Sequence, residues 1–217
     1  MVLDNQRENF DPLISRFAKI FLKINPNTLT WISLFFAFFA GLFFLISSEE
    51  KELENFYLYA AAFFVFLNGF FDAIDGKVAK ITNKTSLKGD FLDHALDRYA
   101  DVLIVGGLAL SSWCDLRIGF LAIIGMLLTS YMGTQSQAVG YKRDYSGLLG
   151  RADRLVLLMF APVIQHILII YGYEVVLKLD FIDLNLLECV LIYFAIMGNI
   201  TAIQRFISTL RWFNKKK

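Results

Sequence analysis

Four aspartates stand where two apolar stretches of the chain meet: Asp72 and Asp75, three residues apart, and Asp93 and Asp97, four apart. On helices, spacings of three and four put each pair on one face. Two antiparallel helices joined by a short loop can turn those faces towards each other. Carboxylates about 3 to 4 Å apart cannot all ionise without a counter-charge, so the cluster calls for a cation. Ligation by oxygen alone suits Mg²⁺, Mn²⁺ or Ca²⁺, whereas the His and Cys that hold softer metals are almost absent from the set. His94 follows Asp93 directly, which on a helix turns it about 100° away. Lysines of the intervening loop, Lys77, Lys80, Lys84 and Lys88, are the metal-free alternative for neutralising the cluster. Gly76, directly after Asp75, and Gly89, one turn before Asp93, leave bare backbone beside the carboxylates, and Lys80 lies one turn beyond Gly76. A divalent ion on carboxylates, with a cation and bare backbone beside it, describes a site for a phosphate or pyrophosphate.

The elements that must hold these residues are set by composition. Of 217 residues, 57% are hydrophobic and 16% aromatic, well above the roughly 45–50% apolar usage of a soluble domain. The fold class expected is an all-α integral membrane protein. Six apolar runs are long enough to cross a bilayer as helices, at roughly 28–47, 56–75, 90–113, 118–141, 152–172 and 184–207. Ahead of them, residues 5–24 place Phe10, Leu13, Ile14, Phe17, Ile20 and Phe21 at helical spacing, with Arg16, Lys19 and Lys23 on other faces. That pattern predicts a basic amphipathic helix lying in the membrane interface. Pro26 is expected to end it, and Asn27 or Thr28 to cap the next helix. Residues 1–217 read as a single domain without internal repeats, and the N-terminus has no secretory-signal pattern, so no segment is expected to be removed.

Charge placement gives the orientation. With six spans, only Lys51, Arg117 and Lys178 of the 21 Lys and Arg residues fall in outer loops, which by the positive-inside rule puts the N-terminus and the aspartates on the cytoplasmic side of a multi-pass cell-membrane protein. A net charge of +1 gives no case for nucleic-acid binding. Cys114 and Cys189 have no ligand spacing and read as small buried hydrophobes. Asp101 continues the Asp93 and Asp97 stripe one turn deeper, where an ion pair with Arg98 or with another helix is expected. A cation channel or carrier is the reading from another class, but a path would spread polar residues through the depth of several helices, and these cluster at one end.

The run Asp72-x2-Asp75-Gly76-x2-Ala79-Lys80-x8-Gly89-x3-Asp93-x3-Asp97 resembles the signature of the CDP-alcohol phosphotransferases, membrane enzymes of phospholipid synthesis, at every spacing. Lys80 stands where that family usually has Arg, keeping the charge but not the bidentate fork. The resemblance implies two divalent ions, Mg²⁺ or Mn²⁺, on Asp72, Asp75, Asp93 and Asp97. It implies close approach of a CDP-linked lipid at Gly76, Ala79 and Gly89, with Lys80 on its phosphates. It also implies Asp97 as general base towards an acceptor hydroxyl, release of CMP, and a homodimer.

The acceptor must be read elsewhere. Arg151 and Arg154 lie three residues apart at the start of the fifth apolar stretch, with Lys142 and Arg143 upstream. Guanidiniums at a helix N-terminus suit an anionic acceptor, and the plain alternative is that they touch lipid headgroups. "GRADRLVLL" resembles the paired-arginine segment of the family's subgroup that makes inositol phosphate lipids, and "INPNTLT" is similar to its N-terminal region. Ser130-Tyr131 is followed by Met132, Gly133, Thr134 and Gln135 in place of that subgroup's basic residues, and Gln135 or Gln137 could serve the acceptor's hydroxyls. The acceptor expected is a phosphorylated polyol, 1L-myo-inositol 1-phosphate first and glycerol 3-phosphate next, taking a phosphatidyl-type or archaetidyl-type group.

Overall fold

Helix α1, Arg7–Ala18, leads the chain in the computed structural model of the protein, which describes residues 7–48, 55–173, 175–179 and 182–216. One 3₁₀ turn, Lys19–Phe21, follows it. Six long helices come next: α2 (Pro26–Ile46), α3 (Tyr57–Ile81), α4 (Leu87–Ala109), α5 (Leu116–Ala138), α6 (Arg151–Ile170) and α7 (Leu186–Lys216). Residues 5 and 6 of the expected leading helix, and the outer-loop Lys51, lie outside the described residues.

Five of these helices, α2, α3, α5, α6 and α7, are long and apolar enough to cross a membrane. Helix α4 has the length, 23 residues, but its first two thirds carry Asp90, Asp93, Asp97, Arg98 and Asp101. Several boundaries differ from the apolar runs. Helix α3 continues past residue 75 to Ile81 and α7 past residue 207 to Lys216, because an apolar run reports the thickness it crosses while polar residues keep the backbone helical beyond it. Pro26 begins α2 rather than ending α1. The side chain of Asn25, not of Asn27 or Thr28, accepts from the Asn27 backbone N–H at 3.0 Å, and a proline at the first helical position gives up a donor that has no helical partner anyway. A short antiparallel ribbon pairs Leu177–Leu179 (β1) with Ile182–Leu184 (β2), in the register Leu177 opposite Leu184. This ribbon is the one departure from helix among the described elements, and its alternating Leu and Lys/Asp residues are the strand signal.

Helices α3 and α4 scarcely touch along their lengths; each packs instead on α2, while α5 packs on α7 and α6 on α3. Close approach on α2 rests on small residues: a Cβ on Gly107 of α4 would stand 2.6 Å from the Gly41 Cα, the kind of contact that substitutes for a hydrophobic drive between helices in lipid. Across α2 and α3, Asn68 Nδ2 donates to Ser33 Oγ at 2.8 Å and Ser33 Oγ donates to the Asn68 carbonyl at 3.0 Å, both buried. Helix α1 and the 3₁₀ turn after it lie on α3 through Ala18 and edge-to-face pairs Phe17–Phe70 and Phe21–Phe71, while Ile20 of the turn stays 72% exposed on the outer side.

Candidate active site

The C-terminal turns of α3 present Asp72 and Asp75, and the helix closes with Thr82 Oγ1 donating to the Val78 carbonyl at 2.8 Å. Asn83, in the left-handed region at φ 53°, reverses the chain. Ser86 then caps α4 by accepting from the Gly89 N–H at 3.0 Å, and Asp93 and Asp97 follow on the first turns. Since both helices lean on α2, their aspartates converge only at this end.

One oxygen from each of Asp72, Asp75 and Asp93 can lie within 4.8 Å of the others, and the same holds for Asp93, His94 and Asp97. Asp75 is 4% exposed and its Oδ2 is buried without a hydrogen-bond partner. A buried, unpartnered carboxylate oxygen beside two further carboxylates fits a hard divalent cation, so the donor set and the expected metal agree.

All four aspartates line one cavity of about 880 Å³. Its other wall is the N-terminal turn of α6. Gly150 opens that helix, its backbone N–H donating to Asp153 Oδ2 at 2.9 Å, which sets Arg151 on the first helical turn facing the carboxylates. Arg151 Nη1 stands 2.6 Å from Asp72 Oδ2 and 2.9 Å from Asp97 Oδ1, and its Nε 3.5 Å from Asp101 Oδ1. Arg154 Nη2 donates to Asp101 Oδ2 at 2.7 Å, and Arg98 approaches Asp97 at 3.4 Å and Asp101 at 3.7 Å. The ion pair expected for Asp101 is therefore present, with Arg154 as its nearest partner and Arg98 the more distant one.

The remaining expected site residues divide. Gly76 and Lys80 line the cavity, and a Cβ at Gly76 would meet nothing within 4 Å. Ala79, Gly89, Gln135 and Lys142 do not line it. Gly89 instead lies where α4 starts against α2, its missing Cβ 3.4 Å from Asn27 Oδ1. Gln135 is exposed on α5, and Lys142 projects over the Tyr141 ring, 6.0 Å from its centroid.

Several lining residues have partners that the sequence did not indicate. His94, expected to turn away, lines the cavity with Nδ1 3.4 Å from Asp93 Oδ2, and its Nε2 contacts Arg143 Nη1. The side chain bends back along the helix, which a 100° step does not exclude. Lys77 faces the cavity, holding both Asp11 oxygens of α1 at 2.6 and 2.7 Å. Arg205, inside the last apolar run, donates to the Ser146 carbonyl at 2.9 Å and the Thr129 carbonyl at 2.6 Å, tying the 139–150 loop against α5 and α7. An arginine within a membrane-length apolar run was the signal for it.

The chain has recognisable relatives. The chain is 32% identical over 146 residues to the archaetidylinositol phosphate synthase of Pyrococcus horikoshii, covering 67% of this chain and 73% of that one. It is 26% identical over 218 residues to the phosphatidylinositol phosphate synthase of Cutibacterium acnes, covering 97% and 98%. The fold matches Mycobacterium tuberculosis phosphatidylinositol phosphate synthase with CDP-DAG bound (TM-score 0.69, 19% identity, 91% of this chain and 94% of that one). It also matches the same enzyme in complex with manganese and citrate (TM-score 0.68, 20% identity, 91% and 88%). Residues 23–200 match the family model described as CDP-alcohol phosphatidyltransferase, a span that takes in all four aspartates and both arginines of the α6 turn, and the chain belongs to that family.

Proposed function

We propose that the enzyme transfers a phosphatidyl-type or archaetidyl-type group from a CDP-linked lipid to 1L-myo-inositol 1-phosphate, releasing CMP. The observation that carries the reading is the meeting of Asp72, Asp75, Asp93 and Asp97 with Arg151 in one cavity. The names of the relatives support inositol phosphate as acceptor.

Two Mg²⁺ or Mn²⁺ ions held by Asp72, Asp75, Asp93 and Asp97 would supply neutralisation of the pyrophosphate and of the leaving CMP. Gly76 leaves room for the nucleotide and Lys80 pairs with its phosphates. Asp97 accepts the proton from the acceptor hydroxyl as its oxygen bonds to the lipid-side phosphorus and the bond to CMP breaks. Arg151, beside Asp97 at the helix N-terminus, binds the acceptor phosphate and so holds that hydroxyl near the base. Arg154 contributes from behind, through Asp101. For Ala79, Gly89, Gln135 and Lys142, contact with substrate would require the ligand to extend beyond the cavity wall.

Six membrane crossings complete the proposal. Helix α4, about 34 Å at 1.5 Å per residue, spans with its charges turned inward to Arg98, Arg151 and Arg154, as intramembrane charges do. Helix α1 then lies in the interface, its apolar outer side in lipid, and the site and N-terminus face the cytoplasm, where most Lys and Arg residues fall. The protein acts as a homodimer, a property carried over from the family.

The deciding experiment is CMP release by the purified protein from CDP-diacylglycerol or CDP-archaeol with Mg²⁺ or Mn²⁺ and a panel of acceptors. Turnover with inositol 1-phosphate alone is expected. Turnover with glycerol 3-phosphate instead would reassign the acceptor while leaving the donor chemistry intact.

A further inference from the structure

Helix α7 has 31 residues, about 46 Å at 1.5 Å per residue, against a hydrocarbon core of about 30 Å. Its last turns therefore stand in the headgroup layer. They do so on the side of the aspartate cavity, since Arg205 is tied to the loop that walls that cavity.

These turns build a second cavity, of about 520 Å³, lined by Tyr141, Gln204, Ile207, Ser208, Arg211, Trp212 and Lys215 and sharing no lining residue with the first. Its walls are fixed by local structure. Helix α5 ends with the Tyr141 N–H donating to the Ser136 carbonyl at 3.0 Å and the Gly140 N–H to Gln137 at 3.1 Å. Gly140 at φ 86° supplies the left-handed residue that such an ending needs. That turn delivers the Tyr141 ring to Trp212, with centroids 5.2 Å apart. One turn earlier on α7, Ser136 Oγ and Thr209 Oγ1 share a hydrogen bond of 2.6 Å that fixes the spacing of α5 and α7.

The chemistry of the lining is one-sided. Arg211 and Lys215, four residues apart, share a wall, Lys142 leans over Tyr141, no acidic residue lines the cavity, and no Asp or Glu follows Glu188 in the chain. Beside the basic stripe runs an apolar one, Ile207, Leu210 and Phe213, each more than 39% exposed. A cationic pocket at headgroup depth, edged by tryptophan and continuous with an exposed apolar stripe, matches a molecule with a phosphate at one end and hydrocarbon at the other.

We infer that this cavity binds the phosphate of an anionic membrane lipid, with Arg211 and Lys215 on the phosphate and the acyl or isoprenoid chains along Ile207, Leu210 and Phe213. It is a site separate from the one at which a CDP-linked lipid reacts. A free phosphate would use the same two cations, but it would leave the apolar stripe without a partner.

Native mass spectrometry of the full chain in detergent, titrated with phosphatidylglycerol or phosphatidylcholine, tests this. One phosphatidylglycerol is expected to be retained in preference to phosphatidylcholine. In the double variant Arg211→Gln/Lys215→Gln its retention should fall about thirtyfold, about fivefold for each basic residue near a lipid surface. Detergent-phase CMP release should be unchanged in that variant, showing that the fold and the reacting site are intact. Equal retention of phosphatidylcholine by the wild type would overturn the inference, as would unchanged retention by the double variant. Displacement of the lipid by an equal concentration of inorganic phosphate would assign the pocket to a soluble anion instead. A shift from dimer to monomer without loss of lipid would assign it to a second copy of the chain.

Discussion

The Arg154 guanidinium donates to the Asp101 carboxylate at 2.7 Å, joining the first turn of α6 to the middle of α4 where neither side chain reaches solvent, at 2% and 4% exposed. Removing Asp101 takes the carboxylate partner from the buried Arg154, a loss of about 3–5 kcal/mol, and removing Arg154 leaves Asp101 only the more distant Arg151 and Arg98. Asp101→Ala and Arg154→Met should each lower thermal stability in detergent sharply. The double variant should lose less than the sum of the two, because no charge is then stranded. Additive losses would show that the pair acts independently.

Asp97 is 12% exposed and lies 2.9 Å from Arg151, placing the proposed base next to the proposed acceptor clamp. Asp97→Asn keeps the shape and removes the proton acceptor, so CMP release should fall by about 10²–10⁴ with little change in thermal stability. Activity equal to wild type would end the base assignment.

Gly76 is helical, and a Cβ there meets nothing within 4 Å. Gly76→Ala should therefore fold, gaining up to about 1 kcal/mol of helix stability, while Gly76→Leu should raise KM for the CDP-lipid by filling the nucleotide's approach. An unchanged KM for both substrates in the leucine variant would show that the donor enters elsewhere.

Asp144 lies in the loop between α5 and α6, where burial by itself would raise its pKa. Hydrogen bonds from the Ser146 hydroxyl and backbone N–H, and the Arg205 charge, prevail and hold it below the ordinary carboxylate value. A carboxyl with a lower pKa folded than unfolded contributes stability that is complete above about pH 4 and is lost as pH falls towards the folded value. Asp144→Asn should melt below wild type at pH 7, and the gap should close on acidification. A gap that widened in acid would reverse the sign of this contribution.

The sequence by itself determined which carboxylates can act together and that the chain needs lipid around it. Asp72, Asp75, Asp93 and Asp97 share helix faces because 3.6 residues per turn is a local rule, and the apolar runs demand lipid because hydrophobicity adds along the chain. Tertiary structure alone decided which cations meet those carboxylates. Helix α2 separates α3 from α4, so the cluster forms only at one end and is closed by α6, from which Arg151 reaches Asp72 while Arg154 is absorbed by Asp101. Arg143 enters the cavity and its neighbour Lys142 does not, and His94 folds back towards Asp93. Periodicity limits a side chain to a face, but its partner across the bundle depends on helix crossings set by contacts such as Gly107 on Gly41, more than sixty residues apart in the chain.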